Sequence, residues 1–173
     1  MDKNRVSTFA DDIARQYNPE GISPFPYEKI QQDKTDLKIF LVDYKEDISG
    51  LITYIKEEET FYIIINKNKP QTRQNFTIAH EVGHYFLHKD IIKQEDLIDG
   101  ESSLEVKTLF RLDSTQYSAI ETEANIFAAS LIMPTELVKK AWETFHNIEE
   151  CAKLFSVSPS AMSIRLEKLN LLS

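Results

Sequence analysis

QNFTIAHEVGHYFLH, residues 74–88, places His80 and His84 four positions apart with Glu81 directly after the first histidine. On a helix those two histidines share one face, about 6 Å apart along the axis, so both imidazoles reach a single metal ion. That is a zinc spacing. Glu81 is turned about 100° from His80, close enough to touch an attacking water without being a ligand itself. A carboxylate there can take the proton from that water and later pass it to a leaving amine. Phe76, Ile78, Ala79, Val82, Tyr85, Phe86 and Leu87 supply apolar positions at helical spacing, and Pro70 and Thr72 sit where such a helix begins. Gly83 in mid-helix costs about 1 kcal/mol against alanine, which predicts another backbone passing close by. A buried helix whose two histidines are incidental is the plain alternative, so the rest of the chain has to supply the missing ligand.

With 173 residues, 42% of them hydrophobic, the chain is long enough for one well-packed domain or a domain with a small appendage. A formal net charge of −8 argues against wholesale binding to nucleic acid and favours proteins and peptides as partners. Cys151 is the only cysteine and cannot make an internal disulfide. The opening MDKNRVSTFADD has no apolar leader, so the expectation is a soluble cytoplasmic protein without a membrane span.

Val6, Phe9, Ala10, Ile13, Ala14 and Tyr17 predict an N-terminal helix, ended by Asn18-Pro19-Glu20-Gly21. Residues 22–27, with Pro24 and Pro26, read as extended. Three β-rich runs follow, Lys38–Val42, Leu51–Ile55 and the nearly all-apolar Phe61–Ile65, with Lys56–Glu59 as a solvated hairpin turn. Residues 89–118 are polar and mostly acidic, a mixture of loop over the site and surface insertion with a short strand at Glu105–Leu112. Helix resumes at Ala119 and closes at Pro134, and Val138, Ala141, Trp142 and Phe145 mark the next one. Asn147 with Glu150 resembles a capping box, and Ser158-Pro159 caps a last helix, so two short helices joined by SVS form a helix-turn-helix-like tail. The fold class expected is α+β. A small three-stranded antiparallel sheet packs against the HEVGH helix and further helices, with residues 1–133 as the main domain and 134–173 as a C-terminal helical segment packed on it.

A catalytic zinc site usually has three protein ligands and one open position. His88 continues the series His80, His84, but its rise from His80 is about 12 Å, whereas two atoms on one zinc stand at most about 4 Å apart. It reads as a structural residue behind the ligands. The later helix offers Glu121 and Glu123. With Ile120 set to zero and about 100° per residue, Ala124, Phe127, Ala128, Leu131 and Ile132 form an apolar arc. Glu121 falls inside this arc and Glu123 beyond its edge, where water can solvate it. An unpaired glutamate within an apolar stripe is expensive to bury, and a metal ion offsets that cost. Asn125, one turn after Glu121, is placed to hydrogen-bond a ligating histidine. Tyr85, His88 and Tyr117 are the candidate donors to a developing oxyanion.

FTIAHEVGHYFLH (residues 76–88) followed by ETEANIFAASLIMP (121–134) resembles the ImmA/IrrE metallopeptidases, whose pattern pairs an HExxH helix with an ExxAN-FA-LxMP helix. The tail LFSVSPSAMSIRLEKL is similar to the family's C-terminal segment, so the resemblance covers roughly residues 60–170. It implies His80, His84 and Glu121 as metal ligands in a gluzincin-like site and Glu81 as the general base. The ion it implies is zinc, with manganese or another divalent metal as the alternative. It further implies cleavage of a helix-turn-helix repressor, often a phage, mobile-element or stress regulator, to relieve repression. Two other classes compete with this reading. One is an anti-repressor that captures a regulator through the same groove and cleaves it poorly or not at all; intact Glu81 argues for cleavage. The other is a DNA-binding regulator, but Lys153, Arg165 and Lys168 are interleaved with Glu149, Glu150 and Glu167, a poor footprint for phosphate contacts.

Overall fold

The computed structural model describes residues 2–45, 47–96 and 114–172, with side chains described for all of these except 95–96 and 114–117. Helix α1 (Lys3–Tyr17) buries Val6, Ala10, Ile13, Ala14 and Tyr17 along one stripe. It stops at Asn18, whose side chain takes over from the helix by accepting from Ile22 N–H and donating to Ile22 C=O, both at 2.8 Å. The sequence up to residue 27 reads as extended, but a short helix α2 (Tyr27–Asp33) begins at its end. Its only buried side chains are Tyr27 and Ile30, too few for periodicity to reveal it. What holds it is a tertiary bond, Tyr27 Oη donating to the Asn75 carbonyl at 2.9 Å.

Strands β1 (Leu37–Val42), β2 (Gly50–Ile55) and β3 (Thr60–Asn66) form one sheet in the order β1-β3-β2. The β2–β3 pair is antiparallel, as the short turn at Lys56–Glu58 requires. The β1–β3 pair is parallel, in register from Leu37 opposite Phe61 to Val42 opposite Asn66. The expectation of a wholly antiparallel sheet is therefore corrected to mixed pairing. The physical reason lies in β3, where Phe61, Ile63 and Ile65 are fully buried. The most apolar strand takes the centre, separates β1 from β2, and so meets β1 running the same way.

Helix α3 (Gln71–Asp96) carries the HEVGH motif, packs on β2 and β3, and continues well past it. Its other face meets α4 (Ser114–Ile132), which also packs on α1. Phe9, Phe86 and Phe127 join the three helices, with ring centroids 5.8–6.1 Å apart. The close passage that Gly83 predicts is α4: a Cβ at Gly83 would stand 3.3 Å from the Ala124 carbonyl oxygen and 3.1 Å from Phe127 Cδ1. Gly83→Val should accordingly lower stability by about 1–3 kcal/mol through overpacking, read as a lower melting temperature. A variant as stable as wild type would show that the contact has slack. The strand expected at 105–112 lies outside the described residues.

The C-terminal helices α5 (Thr135–Phe145), α6 (Ile148–Leu154) and α7 (Pro159–Lys168) extend the same core through Val138, Cys151, Phe155, Met162 and Leu166. Asn147 caps α6 by accepting from Glu150 N–H at 3.0 Å, and Ser158 caps α7 by accepting from Ala161 N–H at 3.2 Å. Pro134 offers α5 no side-chain oxygen, and Asp11 of α1 supplies one instead, accepting from Thr135 N–H at 3.1 Å. Arg165 is 5% exposed and donates to Met133 C=O and Thr135 Oγ1 at 3.0 and 3.1 Å. It ties α7 to the α4–α5 junction and is no part of a basic surface. No helix among the described residues is long and apolar enough to cross a membrane.

Candidate metal centre

The apolar arc of α4 is buried as its periodicity predicts: Ile120, Ala124, Phe127, Ala128, Leu131 and Ile132 are each at most 8% exposed. With that arc seated against the Gly83 notch of α3, Glu121 reaches across to the two histidines. His80 Nε2 and His84 Nε2 are 3.0 Å apart, Glu121 Oε2 is 3.3 Å from the first and Glu121 Oε1 3.3 Å from the second. Donors held about 2.0–2.1 Å from a tetrahedral ion stand about 3.3 Å from one another, so the three side chains match the spacing a metal of zinc's size requires. Their ligand atoms all lie within 4.8 Å of one another, and among the described residues they form a group that could hold a metal ion.

The charges of the protein groups fit the same picture. Burial works against a charge on His80, but the hydrogen bond to Glu121 and the nearby Glu81 carboxylate outweigh it and raise its pKa. Burial pushes His84 down to about 4, so it is neutral at pH 7 with a lone pair to offer. The hydrogen bonds from His80 and His84 hold Glu121 well below the usual carboxylate range. Glu81 is 8% exposed, and burial raises its pKa to about 7. Among the described residues no donor reaches its carboxylate, so both oxygens are free to accept a proton.

Behind the ligands, His80 Nδ1 lies 3.1 Å from Asn125 Oδ1, which can only accept, so His80 donates from Nδ1 and would keep Nε2 as the nitrogen to offer an ion. His88 stands outside the triad. Its Nδ1 is 3.1 Å from His84 Nδ1 and its Nε2 is 3.0 Å from Glu123 Oε2. The solvated position expected for Glu123 is corrected here: its side chain is 16% exposed, against 27% for Glu121, because α3 runs on past the motif and brings His88 to it. Helical phase on α4 alone carries no information about how far the neighbouring helix extends. Tyr85 is 2% exposed and donates to Asp36 Oδ1 at 2.5 Å, with Lys89 Nζ 2.9 Å from Asp36 Oδ2, so its hydroxyl is committed away from the triad. Tyr117 lies on α4 one turn before Glu121, but its side chain is outside the described ones.

The family described as the IrrE N-terminal-like domain matches residues 32–167. The metallopeptidase ImmA of Bacillus subtilis is 27% identical over 137 residues, 76% of this chain and 71% of that protein. An immunity region protein of Bacillus phage phi105 is 30% identical over 111 residues, 64% of this chain and 61% of the relative. The radiation response metalloprotease IrrE of Deinococcus radiodurans is 31% identical over 103 residues, 57% of this chain but 28% of that protein. Among solved structures, a Mycobacterium tuberculosis transcriptional regulator shares the fold, with a TM-score of 0.61 at 15% identity over 94% of this chain and 46% of that one.

Proposed function

Since the chain belongs to the IrrE N-terminal-like family, we propose that it is a zinc-dependent endopeptidase that cleaves a transcriptional regulator of the helix-turn-helix repressor type. The observation that carries this reading is the triangle of His80, His84 and Glu121 donors, with edges of 3.0–3.3 Å, beside a buried Glu81. His80, His84 and Glu121 would hold the ion. Zinc, when bound, supplies a Lewis acid that polarises the scissile carbonyl and makes the attacking water more acidic.

Everything else falls to the chain. Asn125 keeps the His80 lone pair directed inward. Glu81 takes the proton of the attacking water and returns it to the amine nitrogen as the peptide bond breaks, and its raised pKa suits both halves of that transfer. Of the three candidate oxyanion donors, Tyr85 is committed to Asp36 and His88 to Glu123 and His84. Tyr117, one turn before Glu121 along α4, is the candidate that remains from the sequence.

A regulator as substrate is supported by the names of the relatives, one from a phage immunity region and one a radiation response metalloprotease. The test is incubation of the purified protein with a co-encoded repressor. Discrete fragments should form, vanish with a zinc chelator and return with added zinc. A stable complex without fragments would instead identify an anti-repressor that acts by capture, and rapid digestion of casein would exclude a dedicated regulator protease.

A further inference from the structure

His84 faces two ways. Its Nε2 lies within 3.0–3.3 Å of His80 and Glu121, so this is the nitrogen whose lone pair the ion would take, and its proton must then sit on Nδ1. That Nδ1 is 3.1 Å from His88 Nδ1. Two N–H groups cannot face each other at that distance, so His88 must accept there and carry its own proton on Nε2. His88 Nε2 in turn lies 3.0 Å from the carboxylate of Glu123, which accepts. Of the possible proton placements along this row, one satisfies every contact. His84 and His88 are 1% and 4% exposed, so water cannot replace a missing partner.

We propose that His88 and Glu123 are positioning residues for the metal centre. Acting in series, they hold His84 in the tautomer that presents Nε2 to the ion and pass the influence of a carboxylate to that ligand. The inference rests on His80, His84 and Glu121 being the ligands. The two histidines would then be supported differently, His80 by the neutral amide of an exposed Asn125 and His84 by a buried histidine leading to a charged group. Support of this kind commonly contributes 10–100-fold in metal affinity.

The experiment is zinc titration against a chromophoric chelator, with wild type, His88→Phe, His88→Gln, Glu123→Leu and the double variant His88→Phe/Glu123→Leu. Phe and Leu keep apolar volume and remove the polar contacts, and melts of the metal-free proteins check that each folds. His88→Phe and Glu123→Leu should each weaken zinc binding about 10–100-fold. The double variant should be no worse than His88→Phe alone, because links in series are not additive. Gln at 88 can still accept from His84 Nδ1–H and should recover most of the affinity. In two-bond proton–nitrogen spectra of the zinc-loaded wild type, His88 should be protonated on Nε2, a signature that packing alone would not set. Protonation on Nδ1, wild-type affinity in both single variants, or losses that multiply in the double variant would each overturn the series. A wild type that binds no zinc would instead sink the metal centre itself, an outcome distinct from a wild type that binds normally beside unaffected variants.

Discussion

Glu81→Gln is expected to bind zinc as wild type does and to cleave its regulator about 10²–10⁴-fold more slowly, the usual contribution of a positioned general base. Glutamine keeps the shape and the ligands and removes only the proton acceptor. The fold should tolerate the change well, since no described residue donates to the Glu81 carboxylate. In the metal-free protein it should even help. Burial raises the pKa of Glu81 from 4.5 to about 7, so the folded state holds this proton more tightly than the unfolded chain does. A raised carboxylate pKa favours the fold below about 4.5, and that contribution is lost as pH climbs through about 7. Melting temperatures of metal-free wild type and Glu81→Gln should therefore move apart between pH 5 and pH 8, the variant becoming relatively more stable at the higher pH. An undiminished cleavage rate would remove Glu81 from the mechanism, and a constant gap between the melts would contradict the effect of its burial.

Glu121→Ala should lose metal. It removes the carboxylate that meets both histidines, and two imidazoles alone hold zinc orders of magnitude more weakly. A ligand that binds only the folded state at 100 times its dissociation constant stabilises by about 2.7 kcal/mol. In a chain of this size that is a rise of roughly 5–10 °C in melting temperature. Wild type should show that rise with zinc and Glu121→Ala should show none at the same concentration, together with no detectable cleavage. Glu123→Leu, separated from the ion by both His84 and His88, should fall between the two. Equal zinc shifts in Glu121→Ala and wild type would mean that the third donor comes from elsewhere.

What the sequence by itself determined is what lies within one or two turns of chain. The spacing of His80 and His84, the glycine at 83, the apolar arc that takes in Glu121, and the oxygens of Asn147 and Ser158 at helix starts are all local patterns, because periodicity and capping depend on neighbours along the chain. The structure places Glu121 on the histidines at the phase read from α4, and sets Asn125 behind His80. The pairings between distant segments were decided only by the tertiary structure. The parallel β1–β3 ladder depends on which strand wins the centre, and α2 on a bond from Tyr27 to a residue 48 positions away. Tyr85 turns to Asp36, 49 residues back, and Glu123 is drawn from the solvent to His88 across 35 residues. Each of these contacts is set by how far two elements run before they cross, a quantity that no single helix or strand carries in its own pattern.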